Sequence, residues 1–273
     1  MTNDAGVAVI VPCYNQAPYV GEALLSLSRQ TRVADEIVVV DDGSTDGSPD
    51  VVLRVMEQWP GRSPVRLVCH DVNTGFVTAL ERGFAETTAP MVAHVDADDL
   101  VRPRYLEALT HALHRHPDAG FAYPRMELFG DESGLFMTGE FRAGRLLFDG
   151  NYIPHIGMMR RAAFEASHGY RPLPTHVDWD LWLALLTAGY RGVFVDEVLY
   201  DWRRHGGSMT LQPTGERLRV RMDILWHHRR LLARHLHVAP YWFGRSVSRR
   251  LIARVAPERA RYRRTPSCWA EGQ

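Results

Sequence analysis

Three carboxylates crowd into four positions at Asp96-Ala97-Asp98-Asp99, directly after the apolar run Met91-Val92-Ala93-His94-Val95. Such a run reads as a buried strand. Strand alternation points Asp96 and Asp98 to one side and turns Ala97 away. Carboxylates at the carboxyl end of a strand stand where open α/β sheets bind their ligands. Charges this close repel unless a cation lies among them. Hard oxygen donors favour Mg²⁺ or Mn²⁺, held by one or two carboxylates and completed by phosphate oxygens. The plainer reading is a solvated acidic turn ahead of a helix whose first turn holds Pro103. The D-x-D pattern alone does not choose between them.

A second acidic doublet, Asp41-Asp42, follows the apolar run Ile37-Val38-Val39-Val40. The sequel Gly43-Ser44-Thr45-Asp46-Gly47-Ser48 is turn chemistry, with Asp46 or Ser44 suited to cap a helix. An acidic group in this place can also accept from a ribose hydroxyl or a base N–H. No G-x-G-x-x-G follows the first apolar run and no G-x-x-x-x-G-K-[ST] occurs, which excludes a dinucleotide fingerprint and a P-loop.

The elements that must position these groups alternate. Val7 to Val11, Ile37 to Val40, Val65 to Val68 and Met91 to Val95 read as strands; Tyr19 to Gln30, Asp46 to Gln58, Phe76 to Glu86 and Pro103 to His114 read as helices. This rhythm implies an α/β fold with a parallel sheet and right-handed crossovers. After Phe121 it changes. Gly120 to Phe129 and Leu135 to Phe141 read as strands around a Gly130–Gly134 turn, and Gly150 to Gly157 as a loop. Asp178 opens a helix that Gly189 ends. Arg191 to Leu199 reads as a strand and Tyr200 to Thr210 as a polar loop.

Composition narrows the class. The 273 residues carry 32 basic and 32 acidic side chains, so no global field draws nucleic acid. Three scattered cysteines, Cys13, Cys69 and Cys268, make neither a disulfide framework nor a zinc pattern, and Cys13 and Cys69 read as packed thiols. The first residues lack a signal-peptide pattern, and no apolar run reaches the roughly 18 residues of a membrane span. A cytoplasmic protein is expected.

Taken together, Val9-Ile10-Val11-Pro12-Cys13-Tyr14-Asn15, Glu36 to Ser48, Asn73-Thr74-Gly75, Val95 to Asp99, Val177-Asp178-Trp179-Asp180-Leu181-Trp182-Leu183 and Arg203 to Thr210 resemble, in order, the motifs of family 2 glycosyltransferases of GT-A fold. The resemblance spans residues 7 to 210. It implies a catalytic domain over 1–214, with a nucleotide-binding half 1–115 and an acceptor half 116–214, followed by a basic helical extension 215–273. It implies that Pro12, Tyr14, Asn15 and Asp42 line the nucleotide pocket, that Asp96 sits near ribose and metal, and that Asp98 is the principal ligand of Mn²⁺ or Mg²⁺. His205 matches a late histidine that approaches the metal or diphosphate. Asp178 stands where such enzymes keep their catalytic base. The usual Glu-Asp pair is Val177-Asp178 here, so the carboxylate that helps orient acceptors in relatives is missing.

The implied reaction is inverting transfer of a sugar from a nucleotide-diphosphate sugar to a hydroxyl acceptor: a glycan, a lipid-linked saccharide or a small molecule. UDP is the expected nucleotide, because a compact pocket with Tyr14 and Asp42 suits a pyrimidine; GDP and dTDP are the alternatives. Other classes are a sugar-nucleotide nucleotidyltransferase, whose basic triphosphate loop is missing here, and a non-catalytic nucleotide-sugar module. Tyr152 and His155 lie where acceptors bind in relatives, without diagnostic spacing. Trp179 reads as core, with a face that an acceptor sugar can use.

Arginines from Arg217 to Arg254 alternate with Leu218, Leu225, Trp226, Leu231, Leu232, Trp242, Phe243, Leu251 and Ile252, as in two amphipathic helices. Such helices pack on the catalytic core, form a homodimer interface or lie on an anionic membrane. Residues after Arg264 read as disordered.

Overall fold

A computed structural model of the protein describes residues 6–206 and 214–241. Ser208, Met209, Thr210, Cys268 and the arginine-rich stretch beyond residue 241 lie outside the described residues. The first half runs β1 (Val7–Cys13), α1 (Val20–Ser28), β2 (Glu36–Asp41), α2 (Ser48–Glu57), β3 (Val65–Cys69), α3 (Phe76–Ala85), β4 (Met91–His94), β5 (Leu100–Val101) and α4 (Tyr105–Arg115). The second half runs β6 (Ala119–Gly130), β7 (Gly134–Leu135), α5 (Ala143–Phe148), β8 (Gly157–Arg160), α6 (Arg161–Ala166), α7 (Val177–Thr187) and β9 (Arg191–Arg204). The helices α8 (Thr214–His227) and α9 (Arg229–Arg234) follow.

One sheet carries the strands in the order β3-β2-β1-β4-β8-β6-β9-β5, with β7 on β6. Strands β1 to β4 are parallel to one another. Beyond them β8 runs antiparallel to β4 and β6, while β6 and β9 are parallel. The chain steps outward from β1 to β2 and β3, then returns to place β4 on the other side of β1. Right-handed crossovers therefore put α1 and α2 on one face and α3 on the other. The cores follow. Val9, Val11, Ile37 and Val39 pack with Leu24 and Val52, whereas Ile10 and Val92 pack with Leu80 and Phe84 of α3. Alternate residues of β1 are thus buried on opposite faces, as its unbroken apolar sequence requires. Gly83 lets α3 lie directly on β1; a Cβ there would overlap Ile10 Cγ2.

The reversal of strand order between β1 and β4 opens a crevice at the carboxyl ends of both strands. Tyr14 and Asn15 leave β1 there, and Asp96 to Asp99 leave β4.

Three expected boundaries move. Tyr200 to Arg204 belong to β9 rather than to a loop, paired with β6 as far as Arg204 opposite Gly130. Their polar side chains are partnered instead of solvated: Arg102 holds Asp201 at 2.7 Å and Glu127 at 2.6 Å. The strand expected over Leu135 to Phe141 is only the short β7. Beyond it the segment is tied by side chains, Tyr123 Oη donating to Gly139 O at 2.8 Å and Tyr152 Oη to Glu140 O at 3.1 Å. Pro12 does not end β1, which continues through Cys13. Cys13 is buried as a packed thiol, but Cys69 is exposed.

The described part of the C-terminal segment packs on the second core, where Val220, Ile224 and Leu231 join Trp179 and Trp182.

Candidate active site

The loops after β1 and β2 are fastened to each other. Asn15 adopts a positive φ of 53° and accepts from Thr45 N at 2.9 Å, while its own N–H donates to Ser44 Oγ at 2.9 Å. Asp46 accepts from Ala17 N at 2.9 Å and from Ser48 N, at the start of α2, also at 2.9 Å. Gly43, at φ +71°, lets this turn approach the neighbouring chain; a Cβ there would lie 2.5 Å from Val72 C. Tyr14 projects beside these loops and is exposed, whereas Pro12 is buried in β1.

Asp42 is buried and fully engaged. Its Oδ1 accepts from Thr74 N at 2.9 Å and Thr74 Oγ1 at 2.7 Å and lies 2.8 Å from His70 Nδ1; its Oδ2 accepts from Gly75 N at 2.7 Å. Burial alone would raise its pKa, but these bonds outweigh it and hold the carboxyl below the usual range. Asp42 therefore organises the Asn73-Thr74-Gly75 stretch at the entry to α3.

The carboxylates after β4 are arranged otherwise. Asp96 lies 2.9 Å from His94 Nε2 and in close contact with His155 Nε2. Its backbone N–H donates to Tyr200 Oη at 3.1 Å. Burial would raise the Asp96 pKa, but the two imidazoles, His155 foremost, hold it far below its ordinary value. Burial would likewise lower His155, yet the charge of Asp96 lifts it to about 9. Burial keeps His94 below its ordinary value despite the same neighbour.

Asp98 lies 2.9 Å from His205 Nε2, so the two residues expected at the metal meet across the end of β9. Burial and the charge of Asp96 still raise the Asp98 pKa. Asp99 accepts from Arg203 N at 2.7 Å through Oδ1, while its buried Oδ2 has no partner. Burial, then Asp96 and Asp98, push its pKa well above the ordinary carboxylate value. Oxygens of Asp96, Asp98 and Asp99 all lie within 4.8 Å of one another. Crowded carboxylates, two of them reluctant to ionise and one with an orphaned oxygen, fit a divalent cation, which would supply the missing positive charge. All three donors are hard oxygens, as Mg²⁺ or Mn²⁺ requires.

Asp178 opens α7 after His176, which sits in the left-handed region at φ 61°. Its Oδ2 accepts from Asn151 Nδ2 at 2.6 Å and its Oδ1 from Trp179 N at 2.8 Å. The Asp178 charge favours the protonated forms of His94 and His155, the two imidazoles that contact Asp96. Trp179 is core on every side, its Nε1 donating to Leu146 O at 2.9 Å, so it has no free face for a sugar. Trp182 is buried against Phe121, with ring centroids 4.3 Å apart.

Sequence reasoning assigns no role in this cluster to four residues of the site. His94 reads only as part of a strand, and His155 as an acceptor-side residue without diagnostic spacing. Asp99 was one acidic neighbour among three. Arg203 donates through its backbone to Asp99 and through Nε to Asp98 O at 2.8 Å, stacks 4.8 Å over Tyr19 and pairs with Glu22. Its place at the start of the Arg203 to Thr210 motif is the signal that points to it.

Known proteins resemble this chain in sequence and in fold. The family model described as glycosyl transferase family 2 matches residues 8–168. EpsE of Bacillus subtilis (strain 168) is 28% identical over 221 residues, covering 74% of this chain and 74% of EpsE. A glycosyltransferase of Nostoc sp. is 40% identical over 104 residues, 38% of this chain and 31% of that protein. Among solved structures, S. aureus TarS 1-349 in complex with UDP-GlcNAc has a TM-score of 0.63 at 20% identity, covering 77% of this chain and 62% of that one. The mannosyltransferase PcManGT from Pyrobaculum calidifontis, in complex with GDP-Man and Mn²⁺, has a TM-score of 0.60 at 22% identity, covering 95% of this chain and 79% of that one. The chain thus spans about a third of the Nostoc protein and under two thirds of the TarS chain. Its sheet has the GT-A fold of these neighbours. With more than half of its length matched by the family model, the chain belongs to glycosyl transferase family 2.

Proposed function

We propose that the protein is an inverting, metal-dependent glycosyltransferase that moves a sugar from a nucleotide-diphosphate sugar to a hydroxyl acceptor. The observation that carries this reading is the Asp96, Asp98 and Asp99 cluster, with its orphaned Asp99 oxygen, at the reversal of strand order. A bound Mn²⁺ or Mg²⁺ would be held by Asp98 with its acidic neighbours and would neutralise charge on the departing diphosphate. His205, hydrogen-bonded to Asp98, would approach the metal or the diphosphate. The exposed Tyr14 ring offers a face to the base, and Asp42 holds the loop that closes the ribose side. Pro12 and Asn15 shape the floor between them.

Asp178 takes the proton of the acceptor hydroxyl as that oxygen attacks the anomeric carbon. Asn151 holds its carboxylate with a 2.6 Å hydrogen bond. One base and one direct displacement invert the anomeric centre. Asp178→Asn should retain donor binding while transfer falls by roughly 10²–10⁴-fold; a variant with the full transfer rate refutes the assignment.

UDP is the nucleotide we assign, which suits the compact Tyr14 and Asp42 loops. The neighbours' complexes with UDP-GlcNAc and GDP-Man support the donor class. Calorimetric titration of UDP with and without Mn²⁺, followed by mass spectrometry of nucleotide released from a donor panel, tests the reading. Binding without release on any donor would leave a nucleotide-sugar module, and reaction only with a nucleoside triphosphate would indicate a nucleotidyltransferase.

A lipid-linked acceptor has its own support. Leu218, Met222 and Trp226, four residues apart on α8, are exposed, with Arg229 stacked 5.2 Å over Trp226. A basic, aromatic helix face of this kind suits the surface of an anionic membrane. Among the described residues no helix is long and apolar enough to cross one. Flotation with anionic liposomes should carry the protein and fail for Trp226→Ala.

A further inference from the structure

Away from the crevice, three imidazoles from two distant stretches of chain converge on one flank. His168 lies in the turn after α6, His227 ends α8, and His228 leads into α9. Their ring centroids are 5.1 Å apart for His168 and His227, 5.7 Å for His168 and His228, and 5.0 Å for His227 and His228. One ring nitrogen from each lies within 4.8 Å of the other two. No step of the sugar transfer uses them.

Among the described residues, hydrogen bonds leave His168 and His227 each with at least one ring nitrogen unused. His168 Nδ1 lies 2.9 Å from Gly169 O, so Nδ1 carries the proton and Nε2 keeps its lone pair. His227 makes no hydrogen bond among the described residues. His228 is buried, with Nε2 3.1 Å from Asp180 Oδ1 and Nδ1 only in a long, 3.4 Å contact with Thr187 Oγ1, which a cation would replace. Asp180, fully buried, also lies 3.9 Å from His168 Nε2 through its other oxygen. A buried carboxylate behind imidazoles is the usual support of a metal-bound histidine. One cation opposes a metal here: Arg171 bonds Asp180 Oδ2 at 3.0 Å. Asp223, 2.8 Å from the same guanidinium, and Asp180 offset its charge.

We propose that His168, His227 and His228 bind one borderline transition-metal cation of the Zn²⁺, Co²⁺ or Ni²⁺ class, bracing the α8–α9 junction against the body of the chain. Imidazole donors select these ions over the Mg²⁺ and Mn²⁺ that suit the carboxylates of the crevice. His168 and His227 are exposed, so the cation enters from solvent and completes its shell with water. The site is independent of the sugar-transfer reading, and its test does not depend on activity.

The untagged full chain, stripped with chelator and desalted, is titrated with Co²⁺ while its visible d–d absorption is followed. The wild type should saturate with one Co²⁺, and Asp98→Asn, which disarms the crevice, should keep that band. His168→Gln and His227→Gln alter exposed rings and should melt like the wild type without metal. Each should weaken Co²⁺ binding by more than the roughly 10–100-fold that loss of a supporting partner costs. Zn²⁺ should raise the melting temperature of the wild type and of Asp98→Asn only. A wild type without a saturable band, or a band unchanged in both histidine variants, overturns the proposal.

Discussion

Asp42, after β2, and Asp98 and Asp99, after β4, look alike in the sequence: each belongs to an acidic cluster that follows a buried apolar strand at the same edge of the sheet. The surroundings differ completely. Asp42 receives Thr74 N, Thr74 Oγ1, Gly75 N and the His70 ring, and its carboxyl is held below the usual range. Asp98 and Asp99 share one small volume with Asp96 and are held above it, with one oxygen of Asp99 unmatched. Protein donors have already answered the first charge. The second cluster is short of positive charge, which is what the proposed cation would supply. Acidic residues at a strand end therefore mark a metal site only where the backbone has not satisfied them.

The sharpest way to break this contrast is to neutralise one member of each cluster. Asp98→Asn should cost transfer roughly 10²–10³-fold, the scale of losing one electrostatic stabiliser of a transition state. The melting temperature in chelator should hold or rise, because a repelling charge has gone. Assays at saturating donor with a Mn²⁺ series, beside melts in chelator, read both. A variant that loses stability as well as activity would mean that Asp98 is a structural group.

Asp42→Asn should do the reverse. It keeps the shape but replaces a charged acceptor of buried N–H groups, which costs about 1.5–3 kcal/mol of stability. Donor KM should rise as the Asn73-Thr74-Gly75 stretch loosens, while kcat at saturation stays close to wild type. Urea unfolding and donor kinetics measure the two. An undiminished stability would mean that the loop bonds do not hold Asp42 as described.

How much of this was legible in the sequence depended on how local the cause is. The parallel half was readable because strands buried on both faces need continuous apolar runs, and Val7 to Val11, Ile37 to Val40 and Met91 to Ala93 supply them. The Asp96–Asp99 cluster was visible because its members are neighbours in the chain. His155 was not, because its partner Asp96 lies 59 positions away and an imidazole in a loop has no periodicity. Tyr200 to Arg204 misled for a related reason: Asp201 and Arg203 read as solvated, yet their partners Arg102 and Asp99 are a hundred residues upstream. Polar residues paired over long range look like loop residues until the fold brings their partners in.

The smallest effect tests the same contrast by pH, in chelator. The ordinary carboxyl value is 3.8 for both groups, lowered for Asp42 and raised for Asp99. For Asp42 the unfolded chain binds the proton more readily, so its stabilisation is complete above pH 3.8 and is lost as pH falls through the lowered folded value. For Asp99 the folded chain binds it more tightly, so stability is greatest below pH 3.8 and declines as pH rises through the raised folded value. Asp99→Asn should therefore lift the neutral limb of a stability–pH curve and leave the acid limb alone, while Asp42→Asn flattens the acid limb. Added Mn²⁺ should lift the neutral limb of the wild type as well, because the cation relieves the same repulsion from outside. If the Asp99→Asn curve instead runs parallel to wild type from pH 3 to pH 8, the carboxylates after β4 are not crowded in solution, and the electrostatic reason for a cation there is gone.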